Sequence, residues 1–256
     1  MVLKTAREID LLRQAGQIAA DALSWAGRNA VPGRTTGELD AGVEAILRER
    51  GATPVFKGYH GFPASICASV NDEIVHGIPG DRELREGDVI SIDVGARFKG
   101  FVGDTARTFE VGEVSADARR LLETTKGSLD AGIAAARTSG KLSEIAGAIQ
   151  QVAEGGGYSL VKDYAGHGVG REMHEEPQVP NFVDENLLRN DVTLEAGLVI
   201  AIEPMLCIGK ARTRVANDRW TVLTTDGGLS AHFEHSIAFL EDGIEILTLP
   251  SDEDYR

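Results

Sequence analysis

A chain of 256 residues, 42% apolar and 26% charged, has the composition of an ordinary globular protein and the length for one large core, which fits a single domain spanning 1–256. A formal net charge of −14 argues against a general nucleic-acid binder, and two cysteines are too few for a disulfide framework or a structural zinc module. Met1 to Asp10 mixes Lys4, Arg7, Glu8 and Asp10 with no apolar core, so it is not a signal peptide; Gly197 to Ile202 falls far short of the ~20 residues of a membrane span, and a cytoplasmic protein is expected.

Thr5-Ala6-Arg7-Glu8 is a capping box, a hydroxyl followed three residues later by a carboxylate. Ile9, Leu12, Ile18, Leu23 and Ala26 continue it as a helical stripe that Val31-Pro32-Gly33 ends. Thr35 to Glu38 offers a second box, and Leu39, Val43, Ile46 and Leu47 run to a stop at Gly51. An irregular aromatic stretch, Phe56 to Pro63, precedes a strand over Ser65 to Val70 and a shorter one around Ile74-Val75.

Val89-Ile90-Ser91-Ile92-Asp93 reads as an apolar strand that turns at Lys99-Gly100 and returns through Asp104. At matching depth the two acids would lie opposite each other, with Cβ atoms about 5 Å apart. Like charges so placed are destabilising, more so when buried, so something positive is expected between them, with a metal ion the leading candidate.

Ser115 caps a third helix carrying Leu121, Leu122, Leu129 and Ile133. After Thr138-Ser139-Gly140, Leu142, Ile145, Ile149 and Val152 form a fourth helix, closed by Gly155 to Gly157. A strand over Tyr158 to Val161 leads to Gly166-His167-Gly168-Val169-Gly170 and His174-Glu175-Glu176-Pro177. The last strands are Leu198 to Ile202, Thr221 to Thr224 and Ser236 to Leu240, before a polar tail, Ser251 to Arg256, expected to fray.

Laid out this way, the chain repeats itself. Glu86 to Asp93 is echoed by Gly197 to Glu203, each with a Val-Ile pair and an Ile just before the acid, and each acid follows two helices, a strand and a His-bearing loop. A duplicated α/β half, about 1–112 and 113–250, would bring the two acid-bearing strands together at an interface where sites commonly form.

All six histidines are read as lying outside the helices, in three pairs: His60 and His76, His167 and His174, His232 and His235. Asp93, Asp104, Glu203 and Glu234 are interleaved with them. The glycines around His167 lack the GxGxxG spacing of a phosphate loop. His174-Glu175-Glu176-Pro177-Gln178 is not a zinc-protease HExxH, because position i+4 is Gln178 and Pro177 would break the required helix. No G-x-S-x-G elbow exists, and Cys67 has no feature that marks a nucleophile. Four carboxylates with one or two imidazoles suit Mn, Fe, Co or Zn better than a soft-metal site, and their charge balances two divalent ions rather than one.

These residues resemble type I methionine aminopeptidases, of the pita-bread α/β fold shared with Xaa-Pro peptidases and creatinase. The likeness runs from about Leu3 to Leu249. It is carried by Tyr59-His60-Gly61-Phe62-Pro63, Asn71-Asp72-Glu73 with His76-Gly77-Ile78-Pro79, Ile92-Asp93-Val94-Gly95, Gly103-Asp104-Thr105, Gly166 to Gly170, His174 to Pro177, Ile202-Glu203-Pro204 and Phe233-Glu234-His235. The resemblance implies two pseudo-symmetric halves with a central, largely antiparallel sheet backed by helices. It implies two divalent ions (Co, Mn, Fe, Ni or Zn), with Asp93 on one, Asp104 and Glu234 bridging both, and His167 and Glu203 completing the second. His76 and His174 would contact the scissile peptide, Glu203 would shuttle a proton, and Tyr59, Phe62, Cys67 and Trp220 would line the methionine pocket.

Phe56 and Met173 occupy pocket-edge positions where members of that family vary. The implied activity is removal of N-terminal methionine ahead of a small second residue, by a hydroxide bridging the ions. The chain begins Met1-Val2, so loss of its own Met1 is expected. Implied partners are the N-terminal Met of nascent or short peptides and, transiently, the ribosome, acted on by a monomer, with no DNA or membrane partner. The alternatives are an Xaa-Pro aminopeptidase or prolidase of the same fold, a metal-free creatinase-like enzyme, and a non-catalytic binding module.

Overall fold

The computed structural model describes residues 1–251. In chain order the elements are α1 (Ala6–Asn29), α2 (Thr36–Glu49), β1 (Thr53–Pro54), β2 (Ile66–Val70), β3 (Glu73–Val75), β4 (Val89–Phe98), β5 (Phe101–Glu110), α3 (Ala116–Ala135) and α4 (Leu142–Gly155). They continue with β6 (Ser159–Leu160), β7 (Gly166–Gly168), β8 (Glu175–Val179), α5 (Glu185–Arg189), β9 (Val199–Ile202) and β10 (Met205–Cys207). The last are β11 (Thr213–Val215), β12 (Val222–Thr224), β13 (Ser230–His232), β14 (His235–Leu240) and β15 (Gly243–Ile246).

Both expected capping boxes form. Thr5 Oγ1 accepts from the Glu8 N–H while Glu8 Oε2 accepts from the Thr5 N–H, and Thr35 and Glu38 do the same for α2. Each helix then turns its apolar stripe inward. Leu39, Val43 and Leu47 of α2 reach 0% exposure, worth roughly 1.5–3 kcal/mol each in burial. They share a core with Ile18 and Leu23 of α1 and Ile90, Ile92 and Val94 of β4. A second core packs Leu121, Leu129, Ile145 and Ile149 of α3 and α4 against Ile200, Ile202, Ile237 and Phe239.

Every strand pairing among the described residues is antiparallel. The expected central sheet divides into a four-stranded sheet around β4 and a five-stranded sheet ordered β15-β14-β9-β7-β8, flanked by two three-stranded sheets. A single bridge, Ala106 to Glu234, links β5 to the segment between β13 and β14. Thr105 Oγ1 donates to the Glu234 carbonyl at 2.8 Å and Ser236 Oγ to the Asp104 carbonyl at 2.7 Å, which reinforces that seam. On the other side of β5, Gly103 meets α1 backbone to backbone: a Cβ there would stand 2.3 Å from the Gly16 nitrogen.

The hairpin needs one correction. Its turn is at Lys99-Gly100, both with positive φ as a two-residue type I′ turn requires, so Phe98 faces Phe101. Counting back, Asp104 faces Gly95 and Asp93 faces Ala106. The two acids are therefore diagonal neighbours on one face, not a directly opposed pair. A second correction concerns His60, which lies in a one-turn 3₁₀ helix, Tyr59–Gly61, and not in open loop. Of the tail expected to fray, Ser251 is held, its N–H and Oγ both donating to Asp21 Oδ1. Residues 252–256 lie outside the described residues. No helix among the described residues is long and apolar enough to cross a membrane.

Candidate metal centre and its apolar pocket

Alternation along β4 and β5 turns Asp93 and Asp104 to the same face, away from the helices that cover the other. Glu203 follows the last residue of β9, and Glu234 sits between β13 and β14, its N–H donating to the Ala106 carbonyl at 2.8 Å. His167 occupies the middle of β7. Its flanking glycines are required by crowding: a Cβ at Gly166 would stand 2.3 Å from the Ala201 carbonyl oxygen, and one at Gly168 2.5 Å from that of Glu176.

Asp104, His167 and Glu234 each present a ligand atom within 4.8 Å of the others. His167 Nε2 is 3.7 Å from Asp104 Oδ2 and 3.7 Å from Glu203 Oε1. His167 Nδ1 lies 3.0 Å from the Gly168 carbonyl oxygen, which can only accept. The ring proton is thus on Nδ1, and the Nε2 lone pair faces the acids, the tautomer a metal ligand needs.

The electrostatics agree. Burial first, and then Asp104 and Glu203, push the Asp93 carboxyl well above its ordinary range; burial and Asp104 do the same to Glu203, and burial with Asp104, Asp93 and Glu203 to Glu234. Burial raises Asp104 to about 7. Asp93 Oδ1, Asp104 Oδ1 and Glu234 Oε1 are buried oxygens without a hydrogen-bond partner. Orphaned carboxylate oxygens converging beside a neutral imidazole fit divalent cations, with a mixed oxygen and nitrogen donor set.

One cavity of about 150 Å³ contains these side chains and continues into an apolar pocket. The pocket wall is Phe56, Tyr59, Phe62, Cys67, Met173 and Trp220, with Phe62 and Trp220 edge to face at 5.2 Å between ring centroids. His76 and His174 line the same cavity. The His76 ring packs against Tyr164 at 5.6 Å, and burial, with a smaller effect of His174, lowers it to about 4, so it is neutral near pH 7. His174 stands 4.2 Å from the His167 ring, and its Nδ1 is 2.8 Å from the Tyr59 hydroxyl.

The structure thus gathers every acid and pocket residue singled out in the sequence around one space; it keeps His167 with His174 and splits the other two histidine pairs. His60 stays outside against Tyr59. His235 turns to the far side of the sheet, bonds Thr248 Oγ1 at 2.9 Å, and borders a separate cavity of about 130 Å³ between α1 and α3. Sequence reasoning gave no role to Asn181, whose Nδ2 donates to the Glu203 carbonyl at 3.0 Å, or to Lys4. Lys4 Nζ, nearly buried, pairs with Glu175 Oε2 at 2.7 Å, while Glu175 Oε1 accepts from the Arg171 N–H at 2.9 Å, which ties the loop before His174 to the N-terminal segment. Nothing local in the sequence signals Asn181 or Lys4.

Residues 10–241 match metallopeptidase family M24. A methionine aminopeptidase of Clostridium perfringens is 47% identical over 249 residues, covering 97% of this chain and 99% of the relative. A solved methionine aminopeptidase of Thermotoga maritima superposes with a TM-score of 0.94 at 40% identity, covering 97% of this chain and 99% of that one. The prolidase of Pyrococcus furiosus shares the fold, with a TM-score of 0.76 at 24% identity over 96% of this chain and 65% of its own.

Proposed function

This chain belongs to metallopeptidase family M24, and on that premise we propose that it is a metal-dependent aminopeptidase of the pita-bread fold, removing the N-terminal methionine of nascent or short peptides when the second residue is small. The observation that carries this reading is one cavity in which four acids and His167 border a pocket of aromatic and sulfur-bearing side chains. A methionine thioether is soft and flexible and sits well against Tyr59, Phe62 and Trp220.

Two divalent ions would be held by Asp93, Asp104, His167, Glu203 and Glu234, with Asp104 and Glu234 shared. Such ions supply Lewis acidity and lower the pKa of bound water toward neutrality. The chain's own groups do the rest. With the Tyr59 hydroxyl donating to His174 Nδ1, the neutral ring carries its proton on Nε2, ready to donate to the carbonyl oxygen of the scissile peptide. His76, kept neutral by burial, holds the peptide beyond that bond. Glu203, whose carboxyl burial inclines to accept a proton, passes one to the departing nitrogen.

We read residues 1–112 and 113–250 as the two halves of a duplicated unit, and the chain as a cytoplasmic monomer. Transient ribosome association is part of the reading. It follows from the proposed substrate, since an enzyme that acts on nascent chains must approach the ribosome. An Xaa-Pro peptidase activity has less support, since the prolidase likeness is a likeness of fold. Hydrolysis of Met-Ala-Ser, with no cleavage of Xaa-Pro-Xaa peptides, is the expected result for purified protein loaded with Mn²⁺ or Co²⁺. Metal-independent hydrolysis that survives Asp104→Ala would overturn the assignment.

A further inference from the structure

His232 takes no part in the function proposed above, yet its setting is specific. It ends β13, is 2% exposed, and its Nε2 has no hydrogen-bond partner. An unpaired buried polar atom is costly, and leucine at that position would avoid the cost. The backbone around it is tightly set. Thr108 Oγ1 accepts from the His232 N–H at 2.8 Å and donates to the His232 carbonyl at 2.9 Å. Pairing of β13 with β10 places His232 opposite Met205, just beyond Glu203.

The two oxygens of Glu203 face different rings. Oε1 lies 3.7 Å from His167 Nε2, and Oε2 lies 3.8 Å from His232 Nε2. His167 carries its proton on Nδ1, so it turns a lone pair to the space it shares with Oε1, where a cation satisfies both. Among the described residues the metal-ligand cluster of Asp104, His167 and Glu234 does not extend to His232, and there the stable neighbour for a carboxylate oxygen is an N–H. The separation of 3.8 Å is just outside hydrogen-bond range, within reach of a small side-chain rotation.

We propose that His232 is a positioning residue for Glu203: its Nε2–H donates to Oε2 and so holds Oε1 turned into the metal centre. Asn181 restrains the Glu203 main chain through its carbonyl, and His232 restrains the carboxylate at the other end. The proposal rests on Glu203 being a metal ligand.

Calorimetric titration of Mn²⁺ into chelator-stripped full-length protein tests it, with wild type, His232→Gln, His232→Met and Glu203→Ala side by side. His232→Gln keeps an N–H donor and is expected to hold Mn²⁺ within about threefold of wild type, whereas His232→Met should lose roughly 10–100-fold in affinity. Wild-type affinity in His232→Met, or an equal loss in both His232 variants, overturns the proposal. If Glu203→Ala also binds as wild type does, the ligand assignment itself fails, which separates the two ideas. Long-range ¹H–¹⁵N spectra of histidine-labelled wild type need no variant to fold: protonation of His232 at Nε2 is expected, and a proton on Nδ1 overturns the proposal.

Discussion

The two acid-bearing regions each begin with a pair of helices, α1 and α2 in one and α3 and α4 in the other, and are secured in different ways. Each second helix starts at a residue bridged to the segment before the acid-bearing strand, Thr35 to Glu83 in one region and Lys141 to Thr193 in the other. Asp93 and Asp104 sit within one long hairpin whose register its own turn dictates. Glu203 and Glu234 stand just past strand ends, and Glu234 is placed by its bond to Ala106 across the seam. The first pair is locally determined, and the second borrows its placement from the first. Damage to the hairpin should therefore disable both ligand sets, whereas damage in the second region should leave Asp93 and Asp104 in place.

The harshest way to break that comparison is Asp104→Ala, at the seam itself. Hydrolysis of Met-Ala-Ser is expected to fall by more than the roughly 100-fold that changes in outer hydrogen bonds cost. Mn²⁺ at 100 times its Kd should stabilise wild type by about 2.7 kcal/mol. That amounts to ~5–10 °C in Tm by calorimetry for a domain of this size, and the gain should vanish in the variant.

A second contrast sets glycines of the two regions against each other. Gly103→Ala drives a methyl into α1 and should cost about 1–3 kcal/mol in urea unfolding. Gly147→Ala, inside α4 with Val183 Cγ2 as nearest neighbour at 3.7 Å, should be neutral or gain up to ~1 kcal/mol. Equal effects would mean that the first region is not the more tightly fitted.

Acid sharpens the same point. Lys57, Ser65 and Arg48 hold the Glu44 carboxyl down at about 2, tying α2 to the segment that enters β2. A depressed folded pKa contributes stability that is present above the unfolded value near 4.5 and lost as pH falls through about 2. Glu44→Gln should flatten the stability profile between those values, and an unchanged acid limb would remove Glu44 from the account. The smallest effect is expected at the caps. Thr35→Ala should cost ~1 kcal/mol, while Lys141→Thr, giving α4 the hydroxyl that α2 already has, should gain ~0.5–1 kcal/mol, read by denaturant melts.

Legibility tracks how local each determinant is. Thr5 and Thr35 with their Glu partners, the stripe of α2 and the Lys99-Gly100 turn are written in consecutive residues, and each appears in the structure. The register of Asp93 against Asp104 departs from a facing pair because the two-residue turn fixes it: counted outward from Lys99-Gly100, Asp93 meets Ala106 and Asp104 meets Gly95. In the second region β7, β8, β10, β11 and β15 have no counterpart among the expected strands; each is five residues or fewer, too short to show a period of its own. His232 could have been found, since it stands two residues before Glu234 and shares its side of an extended segment. Asn181 and Lys4 could not, because their partners Glu203 and Glu175 are set by the fold alone.

The contact of Gly103 with Gly16 has one more consequence. Where a strand meets a helix with no side chain between them, there is no soft layer to take up a displacement, and the neighbouring Asp104 inherits that stiffness. Ligands on a stiff frame cannot widen or close around their guest, so they choose among ions by radius. Competition titrations across Mg²⁺, Mn²⁺, Zn²⁺ and Ca²⁺ should show affinity collapsing at Ca²⁺, the largest of the four, and Gly103→Ala, by displacing the strand, should blunt that discrimination.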